Sequence, residues 1–195
     1  MQTSRQDVKA PVTGRDSPLR AVVLVGFMGA GKTSVGRELG QHLGWRFVDL
    51  DDRIQARERC TVAEIFRSSG EEEFRRAEHD ALRELLNQVA GERLVIAVGG
   101  GAFARPENIA LLEKSMAMTI FLDASADELW RRCGEDPAER PLRRDEVEFR
   151  QLYESRRARY LEAKVHIDTA GKQVSDIAKE IASSLRLKQS SGKEK

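Results

Sequence analysis

The chain has 195 residues, of which 40% are hydrophobic and 33% charged, and its formal net charge is +1. This length suits one globular domain with a hydrophobic core of its own. The small net charge gives no overall attraction to nucleic acid or to an anionic membrane surface, and no segment approaches the roughly 18 consecutive apolar residues that would span a membrane.

The two ends of the chain differ in composition from its middle. Residues 1–20 carry charged side chains but no apolar segment, which predicts a disordered extension rather than a secretory signal. Residues 188–195 are predicted to be a flexible tail, and residues 21–187 to form one domain without internal repeats. Cys60 and Cys133 lie far apart and have no partner at metal-ligand spacing, so we expect free thiols in a cytoplasmic protein.

The most informative motif follows the first apolar run, Ala21–Val25. Gly26–Thr33 reads G-F-M-G-A-G-K-T and fits the phosphate-loop pattern G-x-x-x-x-G-K-S/T. Its glycines let backbone N–H groups converge on phosphate oxygens, Lys32 can reach the β- and γ-phosphates, and the Thr33 hydroxyl can ligate Mg²⁺. The helix that follows directs its positive N-terminal end at the same anion. The sequence therefore predicts a nucleoside triphosphate site, with a ligand-free glycine-rich turn as the alternative.

Four more strands alternate with helices along the rest of the chain. The strands are predicted at residues 45–48, 94–98, 117–122 and 165–168. A helical stretch is predicted to follow the aspartates at 49–52, and further helices to begin near residues 61, 71, 106, 125, 145 and 174, with a capping box at Thr61 and Glu64 and a break at Gly70. This alternation predicts an α/β fold with a five-stranded parallel sheet and helices on both faces.

Ligands of such sheets bind outside the carboxyl ends of the strands. The phosphate loop, the aspartates at 49–52, the glycines at 99–101 and Asp168 all follow predicted strands, so we expect them to converge on one site. Asp49 and Asp51 stand two residues apart, and in extended backbone their carboxylates would point the same way. A phosphotransferase needs one carboxylate to hold Mg²⁺ and another to fix the accepting hydroxyl; an acidic loop start without a ligand is the alternative.

Two further segments admit more than one interpretation. Arg75 and Glu78 share a helix face, which indicates either an intrahelical ion pair or an arginine that binds a substrate carboxylate. Three glycines at Gly99–Gly101 cost backbone entropy, so the close approach of a ligand to the main chain is the natural reason. A tight connection to the next helix is the alternative.

Arginines near the end of the chain are also candidates. Residues 134–141 are polar with two prolines and predict a mobile loop, whose Arg140 could stabilise charge on a transferring group. On the last long helix, Arg156 and Arg159 share a face that is directed either to solvent or to the site, and the residues alone do not choose between them.

Together these segments resemble the shikimate kinase family over about residues 21–185. The resemblance rests on the phosphate loop, Asp49-Leu50-Asp51, the GEEEFRRAE segment at Gly70–Glu78, Gly99–Gly101 and Arg140-Pro141-Leu142. It implies transfer of the γ-phosphoryl group of ATP to the 3-hydroxyl of shikimate, with Mg²⁺ as cofactor. It also implies a monomer with a small helical substrate-binding insert at about residues 50–90 and a mobile lid at about 134–145.

The resemblance implies a role for each matching residue. The nucleotide would be bound by Gly29, Ala30, Gly31, Lys32, Thr33 and Ser34, with Arg132 packing on adenine and Arg140 contacting the transferring phosphate. Thr33 and Asp49 would hold Mg²⁺. Shikimate would be bound by Asp51, Phe74, Arg75, Gly99, Gly100, Gly101 and Arg156, with Asp51 as the candidate to accept the proton. The implied catalytic residues are Lys32, Asp51 and Arg140.

The second carboxylate-binding arginine departs from the family pattern. The family usually has Arg-x-Pro-x-Tyr, whereas this chain has Ala158 in place of the proline. The family pattern places the arginine four positions before the tyrosine. This spacing to Tyr160 selects Arg156 as the carboxylate-binding residue, and Arg157 stays open as the alternative.

Three other classes of protein compete with this interpretation. A gluconate-kinase-like enzyme of the same fold would share the phosphate loop, but it would not need two arginines for a carboxylate beside a triple glycine. A GTP switch is disfavoured because the chain has no Asn-Lys-x-Asp motif. An inactive scaffold is disfavoured because Lys32, Asp49, Asp51 and Arg75 are all present.

Overall fold

The computed structural model describes residues 19–89, 91–135 and 145–191. Residues 1–18 of the extension predicted at 1–20, most of the predicted lid with Arg140, and residues 192–195 lie outside this part of the chain. Five strands form the sheet: β1 (Ala21–Val25), β2 (Arg46–Asp49), β3 (Leu94–Ala97), β4 (Met118–Asp123) and β5 (Val165–Asp168). All neighbouring strands pair in parallel in the order β2-β3-β1-β4-β5, which confirms the predicted fold class.

Helices connect these strands. They are α1 (Lys32–Leu43), α2 (Leu50–Glu58), α3 (Val62–Gln88), α4 (Pro106–Lys114), α5 (Ala126–Glu135), α6 (Glu146–Tyr160) and α7 (Val174–Ser191), and a short 3₁₀ turn spans Ala102–Ala104. None of these described helices combines the length and the apolarity needed to cross a membrane.

The middle of the sheet forms the centre of the hydrophobic core. Every residue of β1 and β3 is buried, because both strands have neighbours on either side and helices packed over them. The edge strands β2 and β5 are partly exposed. The apolar runs therefore place the phosphate loop, which follows β1, at the carboxyl edge of the best-buried strand.

The long helix α3 begins and bends where the sequence predicts. The Thr61 hydroxyl accepts a hydrogen bond from the backbone N–H of Glu64, and the Glu64 carboxylate accepts one from the backbone N–H of Thr61, so the capping box is confirmed. Gly70 interrupts the helix with φ 80° and ψ 174°, a conformation that favours glycine. The segment with Arg75 and Glu78 therefore lies in a separate helical stretch after the break.

One sequence-based expectation about local geometry is wrong. Asp51 does not continue an extended strand, because β2 ends at Asp49 and Asp51 lies in the first turn of α2. Asp49 is the N-cap of this helix, and its Oδ1 accepts a hydrogen bond from the backbone N–H of Asp51 at 3.1 Å. The two carboxylates reach the same cleft through a helix cap, since the Asp49 side chain satisfies an N–H that the first turn of the helix would otherwise leave unpaired.

Candidate active site

A cleft of about 630 Å³ lies at the carboxyl ends of β1, β2 and β3. Its lining includes the phosphate loop with Lys32, Thr33 and Ser34, and the acidic residues Asp49 and Asp51. Gly99, Gly100 and Arg132 also line this cleft. The structure therefore brings most of the predicted site residues together. Asp168 is an exception: it lines a separate hollow with Asp123 and Arg157, so the expected convergence of all strand-end residues is wrong there.

The phosphate loop has a backbone that requires glycine. Gly26, Gly29 and Gly31 have φ values of 145°, 80° and 83°. A β-carbon on Gly29 would lie 2.8 Å from the Sγ of Cys133, and one on Gly26 would lie 2.9 Å from the carbonyl oxygen of Leu122. The loop is therefore seated directly on β4 and α5, which fixes its position at the edge of the sheet.

Lys32 closes the phosphate loop from within. Its Nζ donates hydrogen bonds to the carbonyl oxygens of Gly26 at 2.8 Å and Phe27 at 3.0 Å. Lys32 is also the first residue of α1, whose N-terminal N–H groups and dipole favour an anion at this point. Ala30 is a buried residue of the loop, whereas Ser34 is exposed and lines the cleft. The backbone N–H groups of the loop and the Lys32 ammonium can together bind phosphate oxygens.

Thr33 and Asp49 place two oxygens side by side in the cleft. The Thr33 hydroxyl donates to Asp49 Oδ2 at 2.7 Å, while the other oxygen of Asp49 caps α2. Hydroxyl and carboxylate oxygens are the ligands that Mg²⁺ prefers, and Mg²⁺ usually completes its shell with water and substrate phosphate. The pair therefore fits a magnesium ion bound together with a nucleotide.

Asp51, which lines the cleft, and the buried Glu78 each have one unpaired oxygen beside Gly99. Asp51 Oδ1 and Glu78 Oε1 have no hydrogen-bond partner among the described residues. A β-carbon on Gly99 would lie 3.0 Å from the first and 2.9 Å from the second, so both carboxyl groups pack on this glycine. Burial and the charge of Asp49 raise the pKa of Asp51, and burial raises the pKa of Glu78 to about 7.

Arg75 lies between these acidic groups and the glycine-rich loop. Its Nη1 donates to Glu78 Oε2 at 2.9 Å and its Nη2 to Glu71 Oε1 at 3.1 Å. The intrahelical ion pair that the spacing allows is therefore present. The guanidinium lies 5.2 Å from the centroid of the Phe74 ring, and Phe74 is only 4% exposed and packs against Phe66. The buried Phe74 ring thus packs against the Arg75 guanidinium. Contact between Phe74 and a substrate stays a prediction.

The triple glycine is explained by side chains that press on it. Gly101 has φ −95°, so no left-handed backbone requires a glycine there. A β-carbon on Gly101 would lie 2.6 Å from the guanidinium of Arg75, and Gly100 faces Arg156 and Tyr160. The protein's own side chains therefore account for the glycines at these positions, and the close approach of a ligand stays a prediction.

Tyr160 was not singled out by the sequence analysis as a site residue. Its hydroxyl donates a short hydrogen bond to the carbonyl oxygen of Gly100, and its burial raises the pKa of the phenol to about 12. The four-residue spacing from Arg156 was a signal, because residues i and i+4 share a helix face. Tyr160 fixes the middle of the glycine-rich loop to the last turn of α6.

The side chains of Arg156 and Arg157, the two candidates for the second carboxylate-binding arginine, point in different directions. The Arg156 guanidinium lies 5.9 Å from the centroid of the Phe27 ring, on the phosphate loop, and near Gly100. Arg157 points the other way, where its Nη2 donates to Asp123 Oδ2 at 3.0 Å. Arg159 pairs with Glu162 at the exposed surface. Of the three, Arg156 has the side chain on the cleft side of α6.

Arg132 also lines the cleft and is held by contacts with the loop after β5. Its Nη2 donates to the carbonyl oxygen of Thr169 at 2.9 Å, and its Nε donates to Glu128 at 2.8 Å. These contacts hold the guanidinium beside the loop after β5, where a planar base could stack on it. Its partner in the predicted nucleotide site, Arg140, lies outside the described residues.

A parallel sheet with a phosphate loop at the end of β1, and with acidic and basic side chains facing that loop, defines a P-loop kinase of small molecules. Comparison with known proteins identifies the family within this class. The family model for shikimate kinase matches residues 28–186, and the chain belongs to the shikimate kinase family.

Individual relatives agree with this assignment. A shikimate kinase of Geobacter metallireducens is 40% identical over 168 residues, which cover 85% of this chain and 91% of the relative. The structure of shikimate kinase from Acinetobacter baumannii in complex with shikimate has a TM-score of 0.81 and 33% identity, covering 94% of this chain and 99% of that one. A gluconokinase from Sinorhizobium meliloti, with a TM-score of 0.54 and 20% identity, shares the fold alone.

Proposed function

We propose that this protein transfers the γ-phosphoryl group of ATP to the 3-hydroxyl of shikimate, giving 3-phosphoshikimate and ADP. The observation that carries the proposal is the family match over residues 28–186, in a chain whose phosphate loop and Asp51 line one cleft, with Arg75 and Arg156 packed beside the adjacent glycine-rich loop. A gluconate-kinase-like activity has weaker support, because the gluconokinase resembles this chain only in fold.

The nucleotide half of the site is assigned to the phosphate loop and to Arg132. The backbone of residues 29–31, with Lys32, Thr33 and Ser34, would bind the phosphates, and Arg132 would pack on the adenine. Thr33 and Asp49 would hold Mg²⁺, which when bound offsets the charge of the nucleotide phosphates. Arg140 is proposed to contact the transferring phosphate from the lid.

The acceptor half of the site is assigned to the other end of the cleft. Arg75 and Arg156 would bind the shikimate carboxylate, the backbone of Gly99–Gly101 would contact the ring, and Phe74 would support Arg75. Asp51 would accept a hydrogen bond from the reacting hydroxyl through its unpaired Oδ1. Because burial raises the pKa of Asp51, its carboxylate is a stronger base than an exposed one, which suits it to take the proton.

The residues act mainly by positioning and by offsetting charge. Lys32 and the N-terminus of α1 favour negative charge on the phosphates, and the arginines orient the acceptor by its carboxylate. Phosphoryl transfer passes through a loose transition state, so little covalent chemistry is asked of the protein. We also propose a cytoplasmic monomer, consistent with free thiols at Cys60 and Cys133.

The test measures ADP release by the purified protein with MgATP and one candidate acceptor at a time. Shikimate should support turnover, whereas quinate and gluconate should barely do so. Lys32→Ala should lower kcat more than about 100-fold, because the group that faces the phosphates is gone. Lys172→Ala, at an exposed ion pair with Glu180, is the matched control and should remain active. A folded wild-type protein that turns over gluconate but not shikimate would overturn the proposal in favour of its rival.

A further inference from the structure

Arg157 makes contacts that the proposed reaction does not use. Its Nη2 donates to Asp123 Oδ2 at 3.0 Å, and its Nε donates to the hydroxyl of Tyr153 at 3.0 Å. The Tyr153 hydroxyl in turn donates to the carbonyl oxygen of Ala124 at 3.0 Å. Asp123 is the last residue of β4 and Ala124 follows it, so these bonds fasten the C-terminal half of α6 to the end of a central strand.

The anchor at Asp123 is itself held firmly. Its carbonyl oxygen accepts hydrogen bonds from the backbone N–H of Thr169 at 2.8 Å and from the Thr169 hydroxyl at 2.9 Å. Thr169 is fully buried, and its own oxygens accept two bonds from Arg132, at 2.9 Å and 3.2 Å. A continuous polar chain therefore runs from the nucleotide end of the cleft to α6.

The neighbouring Arg156 is held differently. No carboxylate pairs with it among the described residues; its guanidinium is hydrogen-bonded to the Tyr160 hydroxyl of the same helix and lies over the Phe27 ring near Gly100. Successive residues of a helix are about 100° apart around its axis. Any rotation of α6 that releases Arg157 from Asp123 would therefore also turn Arg156 away from the cleft.

We propose that Arg157 is a positioning residue for acceptor binding: its ion pair with Asp123 holds α6 in the rotation that directs Arg156 into the cleft. The inference rests on the proposed function, because it assumes that Arg156 binds the acceptor carboxylate. It assigns no contact with substrate to Arg157 itself. Its consequence is that breaking an ion pair outside the cleft weakens shikimate binding.

The test compares steady-state kinetics of Arg157→Ala, Asp123→Asn and the double variant with those of the wild type. Each single variant should raise the KM for shikimate about five- to tenfold, with kcat and the KM for ATP within about twofold of wild type. The double variant should be no worse than either single one, since both remove the same interaction. Arg157→Lys should recover part of the loss, because an ammonium can still pair with Asp123.

The matched control is Arg159→Ala, which breaks an exposed ion pair on the same helix and should leave all three constants unchanged. Thermal unfolding of every variant separates positioning from stability. An unchanged KM for shikimate, or a parallel loss in all constants that tracks the melting temperature, would overturn the inference. If Arg157→Ala does not fold, Asp123→Asn decides by the same criteria. A wild type without shikimate turnover overturns the proposed function and the inference with it, whereas an active wild type with an unaffected variant overturns the inference alone.

Discussion

Arg75 is held in place before any ligand arrives. Its side chain is 10% exposed and bonds to Glu71 and Glu78, and its guanidinium packs on Phe74 and against Gly101. Two carboxylates and an aromatic ring fix the plane of the guanidinium, so its remaining donor capacity has a defined direction. Binding of an acceptor carboxylate there would cost little conformational entropy of the protein, because the Arg75 side chain is already ordered.

Arg75→Ala should therefore act mainly on the acceptor. We expect the KM for shikimate to rise roughly 10- to 100-fold, the range for a lost charge-assisted hydrogen bond, with the KM for ATP nearly unchanged. The adjacent Arg76 is the matched control, because its side chain is 75% exposed and pairs with the surface residue Glu73. Steady-state kinetics of both alanine variants check the prediction, and an equal effect of the two would contradict it.

Glu78 should make stability depend on pH. Its pKa is raised from 4.5 to about 7 in the folded protein because the carboxyl group is buried. A raised carboxyl pKa favours the folded state fully below pH 4.5, and this contribution is lost as the pH rises through about 7. Glu78→Gln stays neutral throughout, so the free energy of unfolding of the wild type should fall relative to this variant between those pH values, by on the order of 2 to 3 kcal/mol.

Denaturant unfolding of both proteins at several pH values measures this difference. Glu71→Gln removes the other carboxylate from Arg75 and serves as the control, since the Glu71 side chain is 62% exposed. A difference between wild type and Glu78→Gln that stays flat from pH 4.5 to 7 would show that burial does not control this carboxyl group.

At the scale of the element, the loop Gly99–Gly101 is the place where α2, α3 and α6 meet. Gly99→Ala should impair shikimate binding and turnover, because its β-carbon would enter the space held by Asp51 and Glu78. Gly91→Ala is the control, since the nearest atom to its β-carbon would be the carbonyl oxygen of Gln88 at 3.9 Å. Kinetics and melting temperatures of both variants test this, and a fully active Gly99→Ala would contradict it.

The same loop shows what sequence patterns can and cannot reveal about an element. Its three glycines indicated a close approach, but the residues that approach come from helices that are remote in the chain. Asp49 and Asp51 were likewise recognised as a pair, yet the helix cap that directs them was missed. A period of two predicts the direction of side chains only while the strand continues, and here it ends at the first aspartate.

At the scale of the whole molecule, the alternation of apolar runs and helices was enough to predict the parallel sheet. Continuous burial of β1 and β3 makes their patterns unambiguous. The strand order β2-β3-β1-β4-β5 was not predictable from the patterns, because it depends on contacts between distant segments. The spacing to Tyr160 selected Arg156 but left Arg157 open, because the direction of each side chain depends on how α6 rotates against β4.

Ligands should stabilise the entire domain, because the cleft is built from the ends of several strands. Nucleotide at about 100 times its Kd contributes about 2.7 kcal/mol, which raises the Tm of a domain of this size by about 5 to 10 °C. Lys32→Ala should lose this shift with MgADP and keep the shift with shikimate. Thermal unfolding with each ligand measures both, and an equal nucleotide shift in the variant would contradict the role of Lys32.

The thiol beneath the phosphate loop gives the molecule a built-in reporter. Cys133 is 3% exposed and its Sγ lies against Gly29, whereas Cys60 is only partly buried. A thiol reagent can reach Cys133 only when α5 and the loop separate, so the rate of labelling measures the free energy of that local opening. Cys60 supplies an internal reference in the same sample. The contact between the phosphate loop and α5 can thus be followed in time without adding a probe residue to the chain.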